Sequence, residues 1–471
     1  MPADALRSLT STLGLPEPGG RVEIVGRDPI LQTRFRIGDA AAAALAAVGV
    51  AIADVWQLRT GRSQDVRVQV PLAAASLISF MFQRLSNADT PLRDPGLTDF
   101  YRTRDDRWFL VHRGFPKNLD GILDLLSCEA TPEAVAKSVA TWDAQPLEDE
   151  FGRRGLCGAM VRTEDQWSSH PQAIALAERP VVDVIRVGDS PPEPFEVGDR
   201  PLSGVRMLDL TRVLAGPTCG RTLAAHGAGV LRIDSPGLPD VPAFVMDTGH
   251  GKRSAHLDLK DPAEAGRLRD LDREASVFGQ GYRLGAMERL GFGPEALHDL
   301  RPGLVYTSIN CYGHTGPWRG RPGWEQLAQT VTGIAAEHGH DRPRLLPAAA
   351  TDYTTGYLAA LGTIVALARR AREGGSYHVR VSLSRTAMWL QGLGRTASSG
   401  PGVTDETVAP AMIDSETPRG KLSHLGPVLE MSETQPRWEL PAVPLGTHEP
   451  VWDEPGMLQS SRRADNNDDA F

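Results

Sequence analysis

Apolar residues follow two rhythms along this chain, one suited to helices and one to strands. Residues 40–53 form an Ala-rich apolar run closed by Asp39 and Asp54. A bilayer span needs about 20 such residues, so this shorter run predicts a buried helix. Residues 65–70 (DVRVQV) and 378–383 (HVRVSL) alternate with a period of two, as strands with one buried face do. Residues 107–111 (RWFLV) predict another strand. Further on, a strand over 205–210, a loop at Gly216-Pro217, a helix to His226 and a strand over 229–233 follow in order. That is a βαβ unit, and it implies a parallel sheet.

Two of these segments are copies. Residues 38–68 match residues 351–381 without a gap, at a constant offset of 313. Asp39, Leu45, Ala46, Ala47, Gly49 and Ala53 stand where Asp352, Leu358, Ala359, Ala360, Gly362 and Ala366 stand. Arg59, Gly61, Ser63, Val66, Arg67 and Val68 likewise match Arg372, Gly374, Ser376, Val379, Arg380 and Val381. Each copy reads as an Asp at a helix start, a small-residue helix, a Gly turn and an alternating strand. A carboxylate suits a helix start because it satisfies free N–H groups and complements the dipole. Duplication or fusion accounts for the match. The Pro- and acid-rich stretch 189–201 (DSPPEPFEVGDRP) marks a boundary. The chain then divides into 1–190, a linker at 191–201, a unit over 202–398 and a tail over 399–471, whose last residues, 460–471, are expected to be disordered.

Composition narrows the function. The 471 residues allow two or three domains, and 41% hydrophobic with 23% charged residues is ordinary for a globular protein. A net charge of −9 without a basic cluster argues against nucleic acid and against an anionic membrane surface. No signal-peptide pattern opens the sequence, and a cytoplasmic location is expected. Cys128, Cys157, Cys219 and Cys311 form no CxxC pair and read as reduced thiols. Gly251-Lys252 is not a P-loop, since Met246 stands where the first glycine belongs. His338 and His340 lack a third metal ligand nearby, and no G-x-S-x-G elbow occurs.

Five ordered motifs carry a family resemblance. Residues 202–217 (LSGVRMLDLTRVLAGP) resemble the opening strand and loop of the class III CoA-transferases, the family of formyl-CoA transferase and the carnitine CoA-transferases. Residues 251–254 (GKRS) followed by 257–260 (LDLK) resemble its second signature. Tyr282-Arg283 with 285–291 (GAMERLG) resembles its CoA-binding stretch, and 305–317 and 352–356 (DYTTG) complete the series. Residues 39–190 resemble the family's catalytic helix and small second domain, and 422–452 its closing segment. The order is therefore rearranged, with a second half ahead of a first half.

The resemblance implies an α/β fold, a Rossmann-like parallel-sheet CoA-binding domain with a second, smaller α/β domain. It implies that Asp352 attacks an acyl-CoA, giving a mixed anhydride and then an aspartyl-CoA thioester from which an acceptor acid takes CoA. Val213, Leu214, Ala215, Arg253, Tyr282, Ala286 and Arg289 match CoA-contacting neighbourhoods; arginine suits phosphate through its forked donors. Acyl-CoA and carboxylic acid substrates, no metal and a homodimer are expected. The Gly-rich stretch 372–376 is read as a source of backbone N–H donors for an oxyanion. Asp39, with alanines in place of the Tyr-Thr-Thr-Gly after Asp352, reads as a structural cap in a degenerate copy, with a catalytic role left open beside it. Leu214 stands where the family often has a Gln, and Ser235 where several members have an adenosine-side Arg. Trp324-Glu325 occupies the stretch where the racemase branch has a His-Asp pair. An acyl-CoA racemase or isomerase, and a non-catalytic acyl-CoA-binding protein, stay open beside the transferase.

Overall fold

The computed structural model describes residues 2–86 and 96–452, so the expectation for 460–471 lies outside the described residues. The first segment supplies strands β1 (Val22–Val25), β2 (Val66–Gln69), β3 (Arg84–Leu85), β4 (Asp99–Arg102), β5 (Trp108–Val111), β6 (Gly158–Met160) and β7 (Asp183–Gly188). The second supplies β8 (Arg206–Leu210), β9 (Gly229–Asp234), β10 (Lys252–His256), β11 (Val277–Gln280), β12 (Val305–Asn310) and β13 (Ser376–Ser382). The tail adds β14 (Met412–Thr417), β15 (Gly420–Leu425) and β16 (Leu429–Met431).

The main sheet has seven strands in the order β10-β9-β8-β11-β12-β13-β7. The first six run parallel, as the βαβ pattern requires, while β7 closes the edge antiparallel to β13. The first segment is thus built into the sheet of the second. Its strands β4, β5 and β6 form a smaller antiparallel sheet, covered by helices around a core that includes Phe109, Ile122, Val135, Leu147 and Phe151.

The sequence repeat is also a repeat in space. Helices Ile37–Thr60 and Ala350–Glu373 are both 24 residues long and pack on each other. The strand after each is flanked alike: β2 has parallel β1 on one side and antiparallel β16 on the other, as β13 has β12 and β7. Even the close contacts correspond. A Cβ built on Gly49 would lie 2.4 Å from Val66, and one on the matching Gly362 would lie 2.6 Å from the matching Val379. Glycine at both positions lets helix and strand approach closely.

The first repeat helix extends beyond the apolar run that predicted it. Its 24 residues reach the length and apolarity of a membrane span, longer than the predicted run, but residues 37–56 are all buried within the protein. It has no polar face because it is covered on every side.

Beneath the main sheet's central connection lies a buried ion pair. Lys252 Nζ donates to Asp209 Oδ2 and to the carbonyl of Pro217, both at 2.7 Å. The Thr211 hydroxyl donates to the other Asp209 oxygen. Lys252 and Asp209 are 1% and 0% exposed, so each charge depends on the other.

Candidate active site

In an open parallel sheet, ligands sit beyond the carboxyl ends of the strands. Here that edge carries residues 211–215 after β8, Ser235 after β9, Tyr282 after β11 and Cys311 after β12. The helix Ala350–Glu373 leads back into β13, so its first turn, with Asp352, lies at the same edge.

Two helix starts meet there. Glu325 opens the helix Glu325–Thr332. Its Oε1 accepts the Thr351 N–H at 2.8 Å and its Oε2 the Asp352 N–H at 3.3 Å. Gln329, one turn along, donates to Oε1 at 2.9 Å and accepts the Leu346 N–H at 2.8 Å. Glu325 thereby satisfies free N–H groups at the start of the neighbouring helix. Burial pushes the Glu325 carboxyl up to about 7, against the lowering effect of the N–H groups it accepts. Burial, and then the charge of Glu325, holds the Asp352 carboxyl well above the usual carboxylate range. Two desolvated like-charged carboxyls resist simultaneous ionisation.

The matching residue of the first copy is placed differently. Asp39 Oδ1 accepts the Asp28 N–H at 3.0 Å and Oδ2 accepts from Arg36 at 3.0 Å. Asp28 in turn accepts the Asp39 N–H at 2.7 Å. Asp39 is 1% exposed and fully engaged; among the described residues nothing donates to the Asp352 carboxylate, which is 8% exposed. The cap expected of Asp39 is therefore not formed: Asp28 serves the helix N–H instead, and Asp39 ties Asp28 and Arg36 to the helix start.

Further contacts bind the first turn to its surroundings. The Tyr353 hydroxyl donates to Asp247 Oδ2 at 2.8 Å, and Arg221 pairs with the same oxygen at 2.9 Å. A Cβ on Gly356 would lie 2.5 Å from the Ala215 carbonyl. That glycine brings the Asp352 helix against the loop of Val213, Leu214 and Ala215. Val213 has a φ of 67°, a region that costs a β-branched side chain strain and recurs at functional loops.

The small domain reaches the same place. His112 stacks on Trp324 at 4.9 Å between ring centroids, and Phe115 meets Trp324 edge-on at 5.2 Å. Arg212 lies 4.5 Å over the Phe115 ring. Burial pushes His112 down to about 4, so it is neutral at pH 7. Cys311, which burial holds well above its usual range as a thiol, lies near Asp352 and contacts the Trp324 carbonyl.

The other expected residues are dispersed. Tyr282 follows β11, its hydroxyl pushed up to about 12 by burial. Ala286 and Arg289 bound a one-turn helix, with Arg289 exposed. Arg253 lies in β10 on the face opposite Lys252, donating to the Val451 carbonyl at 2.8 Å. The oxyanion role read for residues 372–376 is overturned. Gly374 caps the far end of the Ala350–Glu373 helix, about 33 Å from Asp352 at 1.5 Å per residue. The Gly375 N–H is spent on Ser190. Sequence reasoning missed Glu325 as the partner of Asp352, along with Arg212, His112 and Phe115. A carboxylate directly before an apolar helical pattern was the available signal for Glu325. Among the described residues no group of three or more His, Cys, Asp or Glu is placed to hold a metal ion.

The chain matches CoA-transferase family III over residues 17–189 and 202–408, and it belongs to that family. It is 34% identical over 315 residues to an acyl-CoA transferase of Gibberella moniliformis, covering 61% of this chain and 55% of that protein. It is 31% identical over 354 residues to the acetyl-coenzyme A transferase nodX of Hypoxylon pulicicidum, covering 69% of this chain and 59% of that protein. The chain therefore spans a little over half the length of these relatives. A CaiB/BaiF family protein from Brucella suis is 28% identical, with a TM-score of 0.39 over 48% of this chain and 65% of that one.

Proposed function

We propose that this chain is a CoA-transferase moving coenzyme A between carboxylic acids, with Asp352 as covalent nucleophile. The observation that carries the reading is a buried carboxylate at the carboxyl edge of the sheet, accepting no hydrogen bond among the described residues and destabilised as an anion by burial and then by its neighbour Glu325. Such a carboxylate gains by forming a covalent bond that removes its charge.

The ionised Asp352 attacks the thioester carbonyl of the donor acyl-CoA. The C–S bond breaks, CoA leaves as thiolate, and a mixed anhydride remains. The thiolate then attacks the aspartyl carbonyl of that anhydride, releasing the donor acid as carboxylate and leaving an aspartyl-CoA thioester. The acceptor carboxylate repeats the two steps in reverse order, leaving with CoA and restoring Asp352. Electrons and charge balance without any oxidant or external base. Val213, Leu214 and Ala215 border the reacting end, with Arg253, Tyr282, Ala286 and Arg289 toward the rest of CoA. A homodimer and a cytoplasmic location belong to the same reading.

The test is mass spectrometry of the protein after incubation with short acyl-CoAs and trapping with hydroxylamine. A hydroxamate mapped to Asp352 is expected. No adduct with any donor while CoA still binds, with exchange at the acyl α-carbon in its place, sinks the transferase in favour of an isomerase.

The carboxyl pair makes a separate prediction. Asp352 must be ionised to attack, and both groups titrate above the usual range, so kcat/KM rises as pH rises through the titration of the pair. Glu325→Gln removes the like charge while keeping an oxygen for the Thr351 N–H. The acid limb of the profile then moves to lower pH. A limb that stays put or moves up shows that Glu325 does not set the ionisation of Asp352.

A further inference from the structure

Where β13 meets β7 at the edge of the main sheet, the seam between the two segments gathers more arginines than carboxylates. Successive residues of β13 point to opposite faces. Val379 packs under Gly362 of the catalytic helix, so Arg380 projects to the other side, where its Nε donates to His378 at 3.3 Å. There it borders a depression shared with Arg179, Asp183, His314 and Arg385. Arg179 and Asp183 come from the first segment, Arg380 and Arg385 from the second.

One carboxylate serves these cations. Asp183 is the cross-strand partner of Arg380 and lies 3.9 Å from Arg179. Arg385 donates its Nε to the Arg179 carbonyl at 2.9 Å and forms no ion pair among the described residues. Burial alone, with no offsetting charge, holds its guanidinium below the usual arginine range. His314 is pushed down to about 3 by burial and brings no charge at neutral pH. Arg385 also stands in the first turn of the ten-residue helix Leu383–Gly392, which has no acidic residue in that turn. A cation there opposes the helix dipole. Three guanidinium groups against one carboxylate leave two positive charges in one depression uncancelled by an acidic side chain among the described residues.

We infer that this depression binds a phosphate group, held by Arg179, Arg380 and Arg385. A dianion cancels the excess charge, and tetrahedral oxygens match the forked donors of arginine. The site's charge excess involves neither Asp352 nor Glu325 and does not depend on the transfer chemistry. Free inorganic phosphate and the phosphate of a nucleotide monoester both carry the required group.

The experiment follows the thermal midpoint of the full chain in a phosphate-free buffer at constant ionic strength. Inorganic phosphate, AMP and chloride are titrated separately. A saturable upward shift with phosphate or AMP, absent with chloride, is expected, and the ligand that saturates at lower concentration identifies the source. Arg385→Gln and Arg179→Gln are each expected to weaken the apparent affinity about tenfold or more, the scale of one lost charge-assisted bond. Arg179 is exposed, so its variant keeps the test decisive where Arg385→Gln fails to fold. A shift that does not saturate, that chloride reproduces, or that survives both substitutions overturns the proposal; the last outcome places the anion elsewhere.

Discussion

Asp352→Ala should lower CoA transfer by roughly 10⁴-fold or more, the scale on which loss of a covalent nucleophile registers, and should not lower the stability of the protein. Both halves of that expectation come from the same geometry. The carboxylate has no hydrogen-bond donor among the described residues, it is nearly sealed from water, and a second buried carboxyl stands beside it. An anion in that position costs folding free energy, and alanine removes the cost together with the chemistry. Transfer rates and thermal midpoints measured on the same preparation check the pair of claims. Activity and midpoint falling together would mean that the residue holds the fold. Activity surviving the substitution would remove Asp352 from the reaction.

The largest effect on stability is expected at Lys252. Replacing it with Met leaves Asp209 as an unpaired charge at the centre of the main sheet, which should cost about 3–5 kcal/mol. The urea midpoint of unfolding reads this directly. Adding Asp209→Leu to Lys252→Met should recover much of the loss, because two apolar side chains in place of a buried pair leave no orphaned charge. No recovery in the double variant would mean that packing, and not the ion pair, sets the cost. The same pair holds Thr211 and the Pro217 carbonyl, which flank Val213, Leu214 and Ala215. The single variant should therefore also blunt transfer.

The parts legible in the sequence were those encoded by local rhythm. Alternation located β2 and β13, the stretch 107–111 located β5, and the βαβ order located β8 and β9 to within a residue. The repeat anticipated that Asp352 and Asp39 would each start a helix. The difference between them was not local. Asp39 is engaged because Asp28 and Arg36 fold back on it, and no spacing rule distinguishes that from the open Asp352. Glu325 is 27 residues from Asp352, and its role exists only because two helix starts are packed together. The stretch 372–376 was misread for the complementary reason: its Gly-rich character says nothing of distance, and 24 residues of helix carry the chain to the far end of the sheet. Residues 112–115 gave no signal, since stacking on Trp324 requires the rearranged segments to close on each other.

The unbroken burial of residues 37–56 bears on how the chain is born. A ribosome adding about 5–20 residues per second completes the first repeat helix roughly 15–60 s before the matching helix, which follows 313 positions later. Throughout that interval the first helix has no solvent-compatible side and none of its main packing partner. A segment with the length and apolarity of a membrane span then has to be kept from aggregation and from the bilayer by something other than its own fold. Chaperone demand during synthesis, and failure of any fragment that ends before residue 373, follow from the way this core is divided along the chain.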